Sequence, residues 1–352
     1  MNSLTKEEKE RYKRQIVLKN IGKEGQERLK KTRVAIVGVG GLGSISAMYL
    51  ASMGVGFLRI VDHDVVEVSN LHRQIVYTTH ELDYPKVEVA KNRLEAMNPY
   101  CKVEPLSISV NPNTVKEIVE GIDLVIDGLD RFSSRFTINK ACVQRNIPYV
   151  FGGAIETLGN ASTFIPYDDD SPCLECIFSK VRDEELETCE TVGVHSSIVG
   201  IISCIQISEA VRILTGKKPL LKGKLLFCNL ENLDFQTIEI VKNPTCPTCS
   251  KKRPEKVEKP SEAFVTEVCG RDAYQIVPAE RPEWTLSQAI NTISKYYNIK
   301  IRSKVGCTFN YNDKVIVSLF SGGNTLIRGA KSKEDALEIY KQILNKISEK
   351  ST

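Results

Sequence analysis

The chain has 352 residues, of which 41% are hydrophobic and 26% are charged, with a net charge of only +4 at pH 7. These values are those of a soluble globular protein long enough for two domains, and they give no indication of a nucleic-acid partner. We find no membrane span and no signal peptide, and the 11 cysteines suit a reducing compartment, so we expect a cytoplasmic protein with no membrane contact.

The first two thirds of the chain alternate short β-branched runs with helical stretches. We predict strands at 33–38, 57–61, 102–109, 123–126 and 149–152. Helices are predicted at about 41–54, 86–97, 113–120 and 133–145. This alternation predicts an α/β fold with a Rossmann-like, mostly parallel sheet and helices on both of its faces. Weaker runs at 162–166, 224–229 and 235–241 predict additional antiparallel strands, around a buried apolar helix at 198–214.

A segment rich in Lys, Glu and Pro at 251–262 predicts a linker. It divides the chain into a first domain, residues 1–250, and a small α+β domain, residues 263–352. In the second domain we predict strands at 264–268, 299–304, 314–319 and 325–328 and helices at 286–297 and 333–347. Gly322 and Gly323 indicate a hairpin turn between the last two strands, and nothing in this domain indicates catalysis.

Two Cys-x-x-Cys pairs lie far apart, Cys173 with Cys176 and Cys246 with Cys249. Four thiolates on two tight turns suit one tetrahedral structural Zn²⁺, which leaves no open position for substrate. One alternative is two unrelated pairs of thiols. The other is a thioredoxin-like redox pair, which is disfavoured because we predict neither pair at the start of a helix that follows a strand.

The first strand ends in a loop with Gly38, Gly40, Gly41 and Gly43. Glycines there let the backbone approach a phosphate, and the N-terminus of the next helix favours negative charge. Asp62 ends the second strand, where a carboxylate can bind the ribose hydroxyls of an adenine nucleotide. These features fit NAD and ATP equally.

Side chains further along favour ATP. Asn70 and Arg73 lie in one loop, Lys86 opens a helix and Asp130 follows the fourth strand. Two cations and a carboxylate at such positions suit a triphosphate with Mg²⁺ better than a neutral nicotinamide. The alternatives are that Asp64 caps a turn, that Arg73 forms a surface ion pair, and that Lys86 is an ordinary first-turn residue. A lysine at that position opposes the helix dipole, which favours a functional reason for it.

Together these motifs resemble the MoeB/ThiF family, adenylyltransferases related to ubiquitin-activating enzymes that act on sulfur carrier proteins. The resemblance runs from about Arg11 to Cys249. It rests on Arg11-Tyr-Lys-Arg14-Gln15, the loop from Gly38 to Gly43, Asp62-x-Asp64, Asn70-Leu-x-Arg73-Gln74, Pro85-Lys86, Asp127-x-x-Asp130, both cysteine pairs, and Thr188-Cys189 followed by Gly193-Val194.

The resemblance implies roles for several of these residues. The glycine loop and Asp62 would hold the ATP together with Asp64 and Asn70. Arg73 and Lys86 would bind its phosphates, and Asp130 would organise Mg²⁺. In a homodimer, Arg14 would reach the active site of the other subunit. Arg131 departs from the family, which usually has Asn there, and would either add a phosphate contact or replace a polar loop residue. The tail resembles a short appendage rather than a rhodanese domain.

The implied reaction is ATP-dependent adenylation of the C-terminal glycine of a ubiquitin-like sulfur carrier ending in Gly-Gly (MoaD-, ThiS- or Urm-like), with release of pyrophosphate. It would serve molybdopterin, thiamine or tRNA sulfur transfer. Cys189 lies in a polar stretch and is predicted to attack the acyl-adenylate, giving a thioester or acyl disulfide, unless it is a bystander thiol. Two other functions stay open, a NAD-dependent oxidoreductase with structural zinc and a non-catalytic carrier-binding protein.

Overall fold

The structure, a computed structural model, describes residues 3–183, 191–250, 264–268, 273–278 and 282–348. One sheet contains β1 (Arg33–Val37), β2 (Phe57–Val61), β3 (Lys102–Leu106), β4 (Leu124–Asp127), β5 (Tyr149–Ile155), β6 (Leu158–Phe164), β7 (Lys224–Asn229) and β8 (Asp234–Glu239). The helices around it are α1 (Lys6–Arg11), α2 (Lys13–Ile16), α3 (Gly22–Leu29), α4 (Gly41–Ser52), α5 (Lys86–Met97), α6 (Val115–Val119), α7 (Phe132–Arg145), α8 (Leu174–Phe178) and α9 (Ser196–Leu214).

The eight-stranded sheet has the order β3-β2-β1-β4-β5-β6-β7-β8. Strands β1 to β5 are parallel, and β6 to β8 continue the sheet antiparallel. The central strand β1 is apolar almost throughout because both of its faces are covered, with Val34, Ile36 and Val37 fully buried. The prediction of a mostly parallel Rossmann-like sheet with added antiparallel strands is therefore confirmed.

Helix α9 lies across this sheet and corrects one expectation. Its 19 residues are long and apolar enough to cross a membrane, with a mean hydropathy of 1.6, although we found no such run in the sequence. Its buried residues include Ile198, Ile202 and Ala210, which belong to the core shared with β1 and α4. The helix is apolar because it packs inside the protein, as the sequence predicted for 198–214.

A second, six-stranded antiparallel sheet has the order β11-β12-β13-β14-β10-β9. Its strands are β9 (Phe264–Val268), β10 (Ala273–Val277), β11 (Asn298–Arg302), β12 (Gly306–Asn310), β13 (Ile316–Phe320) and β14 (Thr325–Arg328), with helices α10 (Leu286–Ile293) and α11 (Lys333–Ser348). The α+β character and the β13–β14 hairpin are confirmed. The predicted linker lies outside the described residues, and the domain limits stay a prediction.

Glycines bring the loops that follow β1 and β4 into backbone contact. A Cβ added to Gly38 would lie 2.4 Å from the Gly128 carbonyl oxygen, and one added to Gly43 would lie 1.8 Å from the Gly38 oxygen. Gly38 also has a φ of +88°, which L side chains rarely adopt. The loop after β1, the first turn of α4 and the loop after β4 can therefore pack only as glycine backbone.

We predict that Gly43→Ala lowers the free energy of unfolding by about 3 kcal/mol or more, because backbone rather than a flexible side chain must move. The matched control is Gly200→Ala in α9, where a Cβ would meet nothing within 4 Å. That change should stabilise the protein by up to about 1 kcal/mol through helix propensity. Urea unfolding of both variants measures the difference, and equal stability of Gly43→Ala and the wild type would contradict the packing described here.

Candidate functional site

The candidate site lies at the carboxyl edge of the parallel strands. Val37 of β1 is paired with Val61 of β2 on one side and with Asp127 of β4 on the other. The three strands therefore end level with one another. Their following loops, which contain most of the predicted nucleotide-binding residues, converge at this edge, as is usual for ligand sites in open α/β sheets.

Asp62 fixes the glycine loop. Its Oδ2 accepts a hydrogen bond of 2.8 Å from the Val39 N–H, and its Oδ1 accepts one of 2.9 Å from the Asp64 N–H. The Tyr77 hydroxyl donates to the Val39 carbonyl oxygen at 2.8 Å. Burial, with the nearby Asp62 carboxylate, raises the pKa of Tyr77, so it remains a donor. Each Asp62 oxygen keeps a second lone pair with which it could accept a hydroxyl group.

Asp64 and Lys86 form a nearly buried ion pair beside this loop. The Lys86 Nζ lies 3.0 Å from Asp64 Oδ2, and the Lys86 side chain is only 4% exposed. The backbone N–H of Lys86 also donates to the Asp64 carbonyl oxygen at 2.9 Å. Lys86 is thus the first residue of α5 but not an ordinary surface lysine. An ammonium held at a helix N-terminus is unfavourable by itself, and the Asp64 carboxylate offsets that cost.

The loop with Asn70 and Arg73 lies over the glycines. The Arg73 Cδ is 3.8 Å from the position of a Cβ on Gly41, and its Nη1 donates to the Ser69 carbonyl oxygen at 3.0 Å. Asn70 Oδ1 and Gln74 Oε1 are buried acceptors with no hydrogen-bond partner among the described residues. Buried polar atoms usually have partners, so a ligand that brings N–H or O–H donors, as a nucleoside does, fits this position.

Asp130 is exposed beyond the end of β4, whereas Asp127 is fully buried. The Asp127 Oδ2 accepts from the Arg135 Nε at 3.0 Å and from the Tyr149 hydroxyl at 2.7 Å. Burial raises the pKa of Asp127, and the Arg135 guanidinium partly offsets that shift. The sequence analysis did not predict this contact of Arg135. The signal available for it was an arginine in the helix that follows β4, eight residues after Asp127. The pair anchors the loop that presents Asp130.

The chain on either side of Cys189 is anchored at the same edge. Both Asp183 carboxylate oxygens accept from the start of α7, from the Phe132 N–H at 2.6 Å and the Ser133 N–H at 3.1 Å. On the C-terminal side of Cys189, the Glu156 N–H, just after β5, donates to the Gly193 carbonyl oxygen at 2.9 Å. Cys189 itself lies outside the described residues. Arg131 is the N-cap residue of α7, next to the Asp183 contact.

Arg14 is exposed on α2 and lies away from this edge of its own chain. The neighbouring Gln15 donates to the carbonyl oxygen of Met53 at 2.8 Å, at the C-terminal end of α4. Helix α4 has 12 residues, so its two ends are about 18 Å apart. The glycine loop lies at the other end of α4, and any action of Arg14 on an active site would therefore be on that of another subunit.

The two cysteine pairs meet in one cluster whose four sulfur atoms all lie within 4.8 Å of one another. Sulfurs of different pairs are 3.6 Å apart (Cys173 and Cys246) and 3.4 Å apart (Cys176 and Cys249), closer than the 3.9 Å within the first pair. A tetrahedral zinc with bonds of about 2.3 Å holds its sulfurs about 3.8 Å apart. The cluster can hold a metal ion. Because all four sulfur atoms lie together, the alternative of two unrelated cysteine pairs is excluded.

One reason given against a redox role was nevertheless wrong, because Cys173 is the N-cap residue of the short helix α8. The closer approach between pairs than within one is the better reason. Donation from the thiols of Cys173 and Cys249 lowers the pKa of Cys176, as does the Asn243 N–H at 3.4 Å. The pKa values of Cys173 and Cys249 are raised instead, so Cys176 is the member of the cluster whose charged form its neighbours favour.

Comparison with known proteins agrees with this arrangement. The model of the ThiF family matches residues 12–248. The chain is 38% identical to the SAMP-activating enzyme E1 of Haloferax volcanii over 257 residues, which cover 73% of this chain and 94% of that protein. It is 37% identical to the sulfur carrier protein adenylyltransferase of Thermus thermophilus over 264 residues, covering 74% of this chain and 97% of that protein.

Among solved structures, Escherichia coli MccB has the same fold, with a TM-score of 0.61 at 22% identity and coverage of 68% of this chain and 74% of that one. This likeness concerns the fold alone. The match to the family covers the glycine loop, the Asp62–Asp64 turn, Lys86, Asp130 and three of the four clustered cysteines, and it ends one residue before Cys249. The chain belongs to the ThiF family and is an enzyme of the adenylyltransferase type.

Proposed function

We propose that this enzyme uses ATP to adenylate the C-terminal glycine of a ubiquitin-like sulfur carrier protein and releases pyrophosphate. The observation that carries the proposal is the convergence of a glycine loop, a nearly buried Lys86–Asp64 pair and the exposed Asp130 at one sheet edge. The relatives named for activation of SAMP and of a sulfur carrier protein support this class of substrate.

In this proposal the glycine loop and Asp62 hold the ATP. The glycine backbone lies against the phosphates, and Asp62 binds the nucleoside end, with the buried acceptors of Asn70 and Gln74 nearby. Arg73 and Lys86 offset the negative charge of the phosphates and of the incoming carboxylate. Stabilisation of charge that builds in the transition state is the main contribution such a site can make. Asp130, with Arg131 beside it, is proposed to hold Mg²⁺, which would neutralise phosphate charge when bound.

We further propose that the enzyme is a homodimer in which Arg14 of one subunit acts in the site of the other. The distance along α4 between the Gln15 contact and the glycine loop supports this arrangement. The carrier would bring a flexible tail ending in Gly-Gly, which can enter the cleft at the carboxyl edge. Carriers of molybdopterin, thiamine or tRNA sulfur transfer are the candidates.

Cys189 is proposed to act after adenylation. Its thiolate would attack the acyl carbon of the carrier adenylate, AMP would leave, and a thioester would form. If a separate persulfide-bearing sulfurtransferase had first transferred its outer sulfur to Cys189, that terminal sulfur would attack instead, AMP would leave, and an acyl disulfide would form. The contacts of Asp183 with α7 and of Gly193 with Glu156 support a role at the site, because they hold the flanking chain at the carboxyl edge.

Zinc is the metal that we propose for the four-cysteine cluster, in a structural role. The cluster joins the start of α8 to the segment after β8 and packs on Val143 of α7. A closed four-thiolate site has no position for substrate, so the metal would stabilise the protein without taking part in the reaction.

Exchange of labelled pyrophosphate into ATP tests the proposed reaction against the alternatives. We expect exchange that increases when a Gly-Gly carrier from the same genome is added. A NAD-dependent oxidoreductase would bind NADH and show no exchange, and a non-catalytic binding protein would bind the carrier and show no exchange. Either result with all such carriers would overturn the proposal.

Lys86→Gln should reduce the exchange rate about 10²- to 10³-fold, because it removes one positive group that stabilises the transition state. Lys91→Gln is the matched control, since Lys91 lies on the same helix and pairs on its surface with Glu95 at 3.8 Å.

Asp130→Asn should likewise reduce exchange and raise the Mg²⁺ concentration needed for half-maximal rate. An unchanged exchange rate in folded Lys86→Gln would exclude the proposed role of Lys86, and an unchanged rate in folded Asp130→Asn would exclude the proposed role of Asp130.

Cys189→Ala should leave pyrophosphate exchange within about twofold of the wild type, because adenylation needs no nucleophile from the enzyme. The same change should abolish the covalent adduct between enzyme and carrier, detected by intact mass before and after treatment with a reducing thiol. Loss of exchange in a folded Cys189→Ala variant would show that the two steps are not separate.

The purified protein should contain about one zinc ion per chain, measured by elemental analysis. Cys246→Ala should lose the metal and lower the melting temperature, while Cys204→Ala, which changes an exposed cysteine outside the cluster, should retain both. A Cys246→Ala protein that keeps its zinc and its stability would contradict a structural zinc site.

A further inference from the structure

The second sheet is buried on both of its faces. One face is covered by α10 and α11, and the other contacts the chain at the carboxyl edge of the first sheet. Cys307, Phe309, Val317, Leu319 and Ile327 lie on one face and form a core with α10 and α11. Alternate residues of the same strands point the other way, and they are buried as well: Thr308, Ser318, Phe320 and Leu326 are each at most 2% exposed. This second face packs on the part of the chain that carries the candidate site.

The apolar part of that contact begins one residue after Asp64. Val65 is 1% exposed and forms a cluster with Ala273, Phe320 and Leu326 of the second sheet. Val65 is also bridged to Pro85, the residue before Lys86. The two strand-like segments that hold the Asp64–Lys86 ion pair are therefore joined to each other and covered by the second sheet.

A polar contact holds the other side of this segment. The Arg328 guanidinium lies 2.7 Å from the Asp83 carboxylate, and the Thr308 hydroxyl donates to the Asp83 carbonyl oxygen at 3.4 Å. Asp83 has a φ of +67°, in the left-handed region that is uncommon for residues other than glycine. Contacts from the second sheet thus hold a backbone conformation three residues before Lys86.

A third contact lies just beyond Lys86. The backbone N–H of Lys304, which follows β11, donates to Glu88 Oε2 at 3.1 Å in the first turn of α5. The second sheet therefore touches the chain at Val65, Asp83 and Glu88, on both sides of Lys86 and next to Asp64. None of these three residues belongs to the proposed nucleotide site itself.

We propose that the second sheet is a clamp that positions the Asp64–Lys86 pair for the phosphates of ATP, with Leu326 and Arg328 as positioning residues. The clamp rests on the proposed function in so far as Lys86 acts on ATP. Weakening it should let α5 and the turn after β2 move apart, and Lys86 would then meet the phosphates less well. The effect should fall on the KM for ATP and leave the KM for the carrier unchanged.

Leu326→Ala and Leu319→Ala form a matched pair, because both shorten a buried leucine of neighbouring strands and only Leu326 faces the first sheet. Both changes should lower the melting temperature. Leu326→Ala alone should raise the KM for ATP about tenfold, which corresponds to a loss of about 1.4 kcal/mol of ATP binding. A KM within twofold of the wild type in Leu326→Ala, or equal rises in both variants, would overturn the clamp.

Arg328→Gln and Arg328→Lys provide a second test that removes no core volume. Arg328→Gln should raise the KM for ATP, and Arg328→Lys, which keeps a cation for Asp83, should restore most of the wild-type value. The Kd for ATP, measured by calorimetry, should change in parallel. Wild-type protein that binds ATP without exchange would contradict the proposed reaction, whereas a wild-type Kd in Arg328→Gln would contradict the clamp.

Discussion

The backbone contact between the loops after β1 and β4 is the constraint on which the site depends. Gly38, Gly43 and Gly128 approach so closely that none of them can carry a Cβ. This contact brings the N-terminus of α4 and the loop with Asp130 to the same place on the sheet edge. The site is therefore made by close packing of main chain first, and the charged side chains are arranged around it.

The charged side chains at this edge fall into two groups, one closed to a ligand and one open to it. Asp127 is fully buried and Arg135 is buried and bonded to neighbouring main chain, so this pair fixes the loop and is closed to ligand. Breaking such a pair by removing one partner leaves an unpaired buried charge, which typically costs about 3–5 kcal/mol. Asp64 with Lys86 is nearly buried but lies beside the glycine loop. Asp130 is exposed, which leaves it open to a cation.

Local patterns predicted most of the first sheet, because strands covered on both faces are continuous apolar runs. The limits of β2, α5 and β7 matched the prediction. In the second sheet, β10 and β12 were missed, since their alternate residues are buried on both faces and include Thr308 and Gln275, which do not read as apolar. Two contacts between distant parts of the chain were also missed. The contact of Asp183 with Ser133 of α7 joins residues 50 apart, and the contact of Arg328 with Asp83 joins residues 245 apart, so no local sequence pattern indicates either of them.

Two helices that begin at this edge differ in how their N-termini are satisfied, and the difference indicates where a phosphate can bind. The start of α7 is occupied by the Asp183 carboxylate, which already accepts from two of its N–H groups. Helix α4 begins after Gly40, which has no side chain to cap it. An anion at a helix N-terminus needs free N–H groups. Of these two helix starts, the first turn of α4, with Arg73 over Gly41, is therefore the better position for the phosphates in the proposed reaction, whereas the start of α7 holds the chain at Asp183.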